Sequence, residues 1–304
     1  MGFARASSAR ATGPEGGSVA IAARWRRAFV LLAAFASLGG AVGAAATTNP
    51  SLVHPARNIV ARPNFESSGP CHWTSSHALG CVNPCFVGVA GTVVVAPYDN
   101  SRACTNYVLK AINSARASEN VAPMVLPDNW YSLSVTDQIY VVINLERTAR
   151  GLPPYLGLTR KLDSSAQAGA AKNVDPWFVS GMAYSRFTSI LADASPSPLA
   201  ADYVWMYNDG WGGSTATTSN VDCTSARSPS CWGHRSNILG GYLGPYCHTC
   251  QMGVAFKNNR GTGAYAAIFV KPRGRAAPMY FTWSRDVVPH LKGVTTSTSV
   301  ISGN

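Results

Sequence analysis

All eight cysteines of this 304-residue chain fall after residue 70, in two sets of four: Cys71, Cys81, Cys85 and Cys104, then Cys223, Cys231, Cys247 and Cys250. An even number of thiols crowded into two stretches describes a chain cross-linked in an oxidising compartment. Each stretch can satisfy its own pairing. In the second set the short-range pairs, Cys223 with Cys231 and Cys247 with Cys250, are expected, whereas the connectivity of the first set is open. Closing the Cys223–Cys231 loop contributes about 2.5 kcal/mol on chain-entropy arithmetic. Cys247-His248-Thr249-Cys250 also has the form of half a zinc site, but the spacing to the other cysteines is too wide for a second half, so disulfides are favoured. A redox role for this C-x-x-C would want a βαβ context, which is not visible.

The first 50 residues supply a route to that compartment. Arg24, Arg26 and Arg27 precede an apolar stretch over 28–42, which ends in the small residues Val42-Gly43-Ala44 or Ala44-Ala45-Ala46. A signal peptide over 1–46 is therefore expected. An uncleaved anchor is the alternative, because a span needs ~20 apolar residues and this run nearly reaches that. After cleavage no transmembrane span is expected, and the protein is secreted or held at the cell surface. Five arginines and Glu15 lie in the leader, which leaves +7 of the formal +11 charge on the exported part. A basic surface of that kind attracts anionic lipid or an anionic cell-wall polymer. It lacks the Lys/Arg cluster with interleaved aromatics that a nucleic-acid groove needs. The Ala, Arg and Gly bias fits GC-rich coding, so a bacterial source is expected.

Residues 47–66 are polar with no apolar period and read as a flexible lead. Residues 67–133 form a Cys-rich extension with little apolar material, in which the Val-rich run 89–95 reads as a strand. From Ser134, placed as a helix cap, apolar residues at Ile139, Val142, Ile143 and Leu145 predict a helix to Arg150, stopped by Gly151. A second helix is predicted over 162–174, with Leu162, Ala166, Ala170 and Val174 on one small-residue face. A third begins at Ser195-Pro196 or Ser197-Pro198 and runs to Asn208. Residues 210–230 read as a surface loop. Residues 252–256 and 264–270 read as a hairpin, 279–283 as a further strand, and 287–304 as a disordered tail. Helices first and hairpins last, around one shared core over 134–286, imply an α+β layered domain.

Cys231-Trp232-Gly233-His234-Arg235-Ser236-Asn237-Ile238-Leu239 joins an imidazole, a cysteine and a turn into an apolar segment. This segment resembles the G-H-R-x-N-I-L signature of the CAP superfamily, also called SCP domains. Upstream and in the matching order, Ile143-Asn144-Leu145-Glu146-Arg147, Gly151-Leu152-Pro153-Pro154 and Leu162-Asp163-Ser164-Ser165-Ala166 resemble the first helices of bacterial members. The resemblance spans roughly 135–271, less than half of the chain. It implies an α-β-α sandwich, so the expected fold is α+β, a CAP-like sandwich carrying a disulfide-tied N-terminal extension.

Metal-binding members of that family face two His and two acidic residues across a cleft, ligand types that suit zinc. His234 matches the second His. The other three positions do not match: no His occurs between His77 and His234, Asp193 is the only acid near the family's G-E-N segment, and Trp205 is followed by Met206, Tyr207 and Asn208 with Asp209 one position late. One ligand from four makes a poor site, so no metal and no cofactor is expected. His234 then either bonds a nearby carbonyl or carboxylate and holds the cleft wall, or serves as an acid/base or ligand contact. Arg235 is expected to pair with an acid or project to solvent, and Asn237 to act as a turn or cap residue. Trp205, Asn208, Trp211, Trp232, His234 and Arg235 are placed around the cleft mouth, where aromatics suit an apolar or sugar ligand.

Two functions follow from these residues. One is a non-catalytic binding protein with a degenerate cleft, taking a lipid-like or wall-associated ligand, since the resemblance implies sterol or fatty-acid binding, wall or host interaction, or defence. The other is a secreted hydrolase acting on peptide or cell-wall material, with His234 as general base and Asp209 as its orienting acid. No G-x-S-x-G occurs to support a serine nucleophile.

Overall fold

A computed structural model of the chain describes residues 71–73, 78–81, 84–89, 92–95, 98–177, 183–211, 223, 225, 227–229, 231–259 and 262–292. The leader and the flexible lead expected before residue 67 lie outside the described residues.

The extension holds two short antiparallel pairs. Strand β1 (Cys71–Trp73) pairs with β2 (Ala78–Cys81), which sets the Cys71 backbone opposite Cys81. Strand β3 (Phe86–Val89) pairs with β4 (Thr92–Val95), with Val89 opposite Thr92. The Val-rich run is thus two paired strands rather than the single strand expected, with Ala90-Gly91 between them in sequence. Cys85 bonds to Cys104, which supplies one link that spacing left open.

Cys104 lies on a helix that no strong apolar period announces, α1 (Arg102–Ser118), capped by Ser101 Oγ accepting from Cys104 N. Its Cys104, Val108, Ile112 and Ala115 enter the main core beside the later helices. The segment before residue 134 therefore contributes more apolar material to the core than its Cys-rich start suggested. Helix α2 (Val135–Thr148) begins at the expected cap, where Ser134 Oγ accepts from Asp137 N at 3.1 Å. Gly151 follows with a left-handed φ of 72°. Helix α3 (Arg160–Lys172) starts two residues early because Thr159 caps it, and it ends at Asn173 in the left-handed region. Helix α4 (Pro198–Tyr207) uses Ser197 as its cap and Pro198 in its first turn. Helix α5 (Gly233–Leu239) carries the segment of the family signature.

The sheet has five strands in the order β6-β8-β7-β5-β9, formed by β5 (Gly157–Leu158), β6 (Tyr184–Ser195), β7 (Gln251–Asn259), β8 (Thr262–Pro272) and β9 (Phe281–Thr282). The β5–β7 pair is parallel and the others antiparallel. Alternation along β8 shows how it is covered, because successive side chains point to opposite faces. Tyr265, Ala267 and Phe269 join the core formed with α1, α2 and α4, while Ala266, Ile268 and Val270 join Leu162, Ala166 and Ala170 of α3. Close seating of α3 needs Gly253, where a Cβ would stand 2.1 Å from the Leu162 carbonyl carbon. The chain is thus a mixed α/β fold with a five-stranded sheet and helices on both of its faces.

Past residue 286 the chain is still part of this fold. Val287 is buried, and His290 bonds through Nδ1 to Asp128 at 2.7 Å while its carbonyl accepts from Asp128 N. The disordered tail expected from 287 is corrected to that extent; residues 293–304 lie outside the described residues.

Candidate functional site

Helix α5 begins on Trp232, a non-glycine residue at φ 64° whose indole makes no capping bond. Another residue supplies the cap. Asp209, just past α4, accepts from His234 N at 2.7 Å and Arg235 N at 3.3 Å through Oδ2, and its carbonyl accepts from Trp232 N at 2.8 Å. A carboxylate suits the exposed N–H groups of a first helical turn. The other oxygen, Oδ1, lies 2.7 Å from Nδ1 of the His234 ring. An accepting carboxylate there places the proton on Nδ1, so in the neutral ring Nε2 is the basic nitrogen. The Asp209 side chain is fully enclosed, whereas the His234 side chain keeps 24 % of its exposure.

The rest of the signature mounts this helix. Arg235 reaches Glu119 through both terminal nitrogens, at 2.8 and 2.6 Å, and donates to the Met206 carbonyl. Of the two outcomes open for Arg235, pairing is the one observed. Asn237 donates to the Ser189 carbonyl of β6 at 3.0 Å, which ties α5 to the sheet; this bridge differs from the turn role expected. Ile238 and Leu239 are buried. At the far end, Arg147 of α2 donates to the Ile238 carbonyl at 2.7 Å, a cation at the negative helix end.

Behind α5 runs a buried ionic chain. Glu119 also pairs with Arg150, Arg150 pairs with Glu146, and Glu146 takes Arg116 at 3.1 Å and the Tyr207 hydroxyl at 2.9 Å. Burial alone would raise the Glu146 carboxyl, but the Arg116 and Arg150 guanidiniums outweigh it and hold it below the usual carboxylate range. Glu119, Arg116, Arg150 and Asp202 are the residues of this region that sequence did not mark.

The candidate cleft residues separate. His234, Asp209, Trp232 and Arg235 come together, with Asn208 half-buried alongside in the chain. Trp205 is fully enclosed and Arg235 is 2 % exposed, so neither presents its side chain to solvent. Trp232 packs with Trp211 against Cys223 and Cys231, which are bonded to each other. Its ring lies so close to Gly210 that a Cβ there would fall 2.0 Å away. Cys247 and Cys250 form the third described disulfide, as the short spacing predicted. Asp209 turns its oxygens to α5, and among the described residues no three His, Cys, Asp or Glu converge as a metal site would need.

No family model matches the chain, and no curated protein matches it. Among solved structures it is similar to a cysteine-rich secretory protein from Staphylococcus aureus, at 17% identity and a TM-score of 0.26. That likeness covers 44% of this chain and 39% of the other, so the match spans well under half of that protein's length. Among the described residues no helix is long and apolar enough to cross a membrane.

Proposed function

We propose that the chain is an exported CAP/SCP-like protein, built as an α-β-α sandwich, that acts by binding a lipid-like or wall-associated ligand at the His234 surface. The resemblance of the α5 segment supports the family, and the two-sided covering of β8 supports the sandwich. The observation that carries the binding reading is the use made of Asp209. Both of its oxygens serve α5, fixing the first turn and the imidazole together. That arrangement presents a rigid ring edge without requiring a nucleophile.

The hydrolase reading has one observation in its favour, the 2.7 Å contact between Nδ1 and Asp209. A buried carboxylate at that nitrogen orients the ring so that Nε2 can take a proton from water. A His234→Gln variant separates the two readings. Wild type and variant would be compared for thermal stability, for retention of fatty acid and isolated wall polymer, and for release of products from peptide and wall fragments. On the binding reading, retention falls and neither protein turns over any substrate. Wild-type turnover that vanishes in the variant at an unchanged melting temperature would overturn it.

A further inference from the structure

From Cys223 to Arg285 the chain holds eight Lys and Arg and no Asp or Glu, and the stretch 176–192 adds Arg186, again with no acid. The fold gathers part of this charge at one end of the sheet. Strand β6, at the sheet edge, shifts register between Tyr184 and Arg186, and Arg186 then stands directly across from Lys271 of β8. Arg273 follows, its N–H donating to the Ala183 carbonyl at 3.1 Å. All three residues are exposed, and the ion pairs among the described residues lie elsewhere. Like charges directly opposite on neighbouring strands repel, so an anion that bridges them is favoured. An aromatic ring stands beside them. The Arg186 guanidinium lies 5.9 Å from the centre of the Tyr242 ring and donates to the Tyr242 carbonyl at 3.1 Å. Tyr242 is 60% exposed, and Tyr246 in the same turn is 65% exposed. That turn is anchored, because Arg147 donates to the Pro245 carbonyl at 3.0 Å and Cys247 bonds to Cys250. We propose that Arg186, Lys271 and Arg273, with the Tyr242 ring, bind an acidic polysaccharide: the cations take its carboxylates and the ring takes the apolar face of a sugar.

The chemistry of the surface selects this partner. A guanidinium presents a planar fork that matches a carboxylate, and the neighbouring lysine adds a compact second charge within reach of the same polymer. A bilayer surface would call for exposed Leu, Ile or Phe that sink among acyl chains. The rings beside these cations are tyrosines, which keep a hydroxyl in water while offering a flat apolar face. A nucleic acid carries a phosphate at every nucleotide and is held along a longer basic track than three cations provide. Charge and ring are also presented on fixed backbone, so little ordering is required when a polymer docks. This surface uses neither His234 nor Asp209, and it stands whether or not the reading of the His234 surface holds.

The test measures binding of the intact chain to polygalacturonate, neutral dextran, phosphatidylglycerol vesicles and a single-stranded oligonucleotide over a range of salt. Wild type should hold polygalacturonate most tightly and leave dextran unbound. Changing Arg186→Gln and Lys271→Gln together should weaken polygalacturonate binding by about tenfold or more, and should lower the slope of log affinity against log salt by about one for each cation removed. Tyr242→Ala should weaken binding roughly threefold to tenfold and leave that slope unchanged. Should the double variant fail to fold, Lys271→Gln alone, which leaves the Arg186 bond to Tyr242 in place, reads the same loss. Fatty acid, the probe for the His234 surface, reports on that reading separately, and its retention should be the same in wild type and Lys271→Gln. No binding of polygalacturonate, equal binding by wild type and Lys271→Gln, or tighter binding of vesicles or oligonucleotide would overturn the proposal.

Discussion

Replacing Glu119 with glutamine should destabilise the whole domain, although Glu119 lies before the part of the chain that resembles a known family. Its carboxylate stands between Arg235 at 2.6 Å and Arg150 at 3.1 Å, with 8% of its side chain exposed. At an effective dielectric constant near 20, each contact is worth roughly 5–6 kcal/mol of gross attraction. Desolvation of the three charges offsets most of that gain, which is why removing one partner of a buried pair, rather than the pair, is the informative change. The glutamine leaves the enclosed Arg235 without a carboxylate, while Arg150 keeps Glu146, at a cost of about 3–5 kcal/mol. That is a large share of the ~5–15 kcal/mol by which domains are stable. Urea denaturation should show a lower midpoint at an unchanged slope. In the cycle, Glu119→Gln combined with Arg235→Met should cost less than the two single changes together, by about 1–3 kcal/mol, because the double variant no longer buries the cation that lost its carboxylate. A loss under about 1 kcal/mol, the range of solvated surface pairs, would refute the view that this ionic chain is sealed in the core.

Gly210→Ala should cost roughly 1–3 kcal/mol, since the new methyl meets the rigid Trp232 ring at 2.0 Å; a thermal melt that matches wild type would mean that the ring can yield. Acid should act through Glu146. Its folded value is depressed, so the stability it contributes is present above the ordinary glutamate value of 4.5 and is lost as pH falls below it. Urea midpoints measured across acidic pH should therefore fall for wild type and change less for Glu146→Gln.

The parts of the fold that were legible are the elements that announce themselves locally. Ser134 and Ser197 each cap a helix, as read from the sequence, while the Thr159 cap that starts α3 two residues early was passed over, and the strands flanking residues 260–261 alternate in the ordinary way. The 12-residue strand β6 was not, since its register against β8 shifts between Tyr184 and Arg186 and again between Ala192 and Ser195. Those irregularities break the period of two by which a half-buried strand is recognised. Helix α1 was hidden for another reason. Its buried face includes Cys104, Thr105 and Arg116, residue types that mark disulfides, caps or solvent until their partners are known.

The site divides along the same line between local and long-range cause. Asp209 was within reach of sequence because the chain that leaves α4 returns to it, with Trp232 N bonded to the Asp209 carbonyl. Once those ends meet, the His234 to Asp209 contact is a short step, however far apart the residues stand in the chain. The aromatic cleft was not within reach, since Trp205 and Trp232 are consumed by packing, which is the usual fate of large rings near a helix junction. Arg235 shows why the signature residues are better understood as fasteners than as reactants. One side chain joins α5 to Glu119 and to α4, Arg147 clamps the opposite helix end, and Asn237 holds the sheet. Every one of these bonds constrains where the imidazole sits, and the imidazole keeps part of its surface while Asp209, Arg235 and Arg147 are enclosed. A change at Glu119 therefore reaches His234 through Arg235, the residue next to it in the chain, without touching the ring.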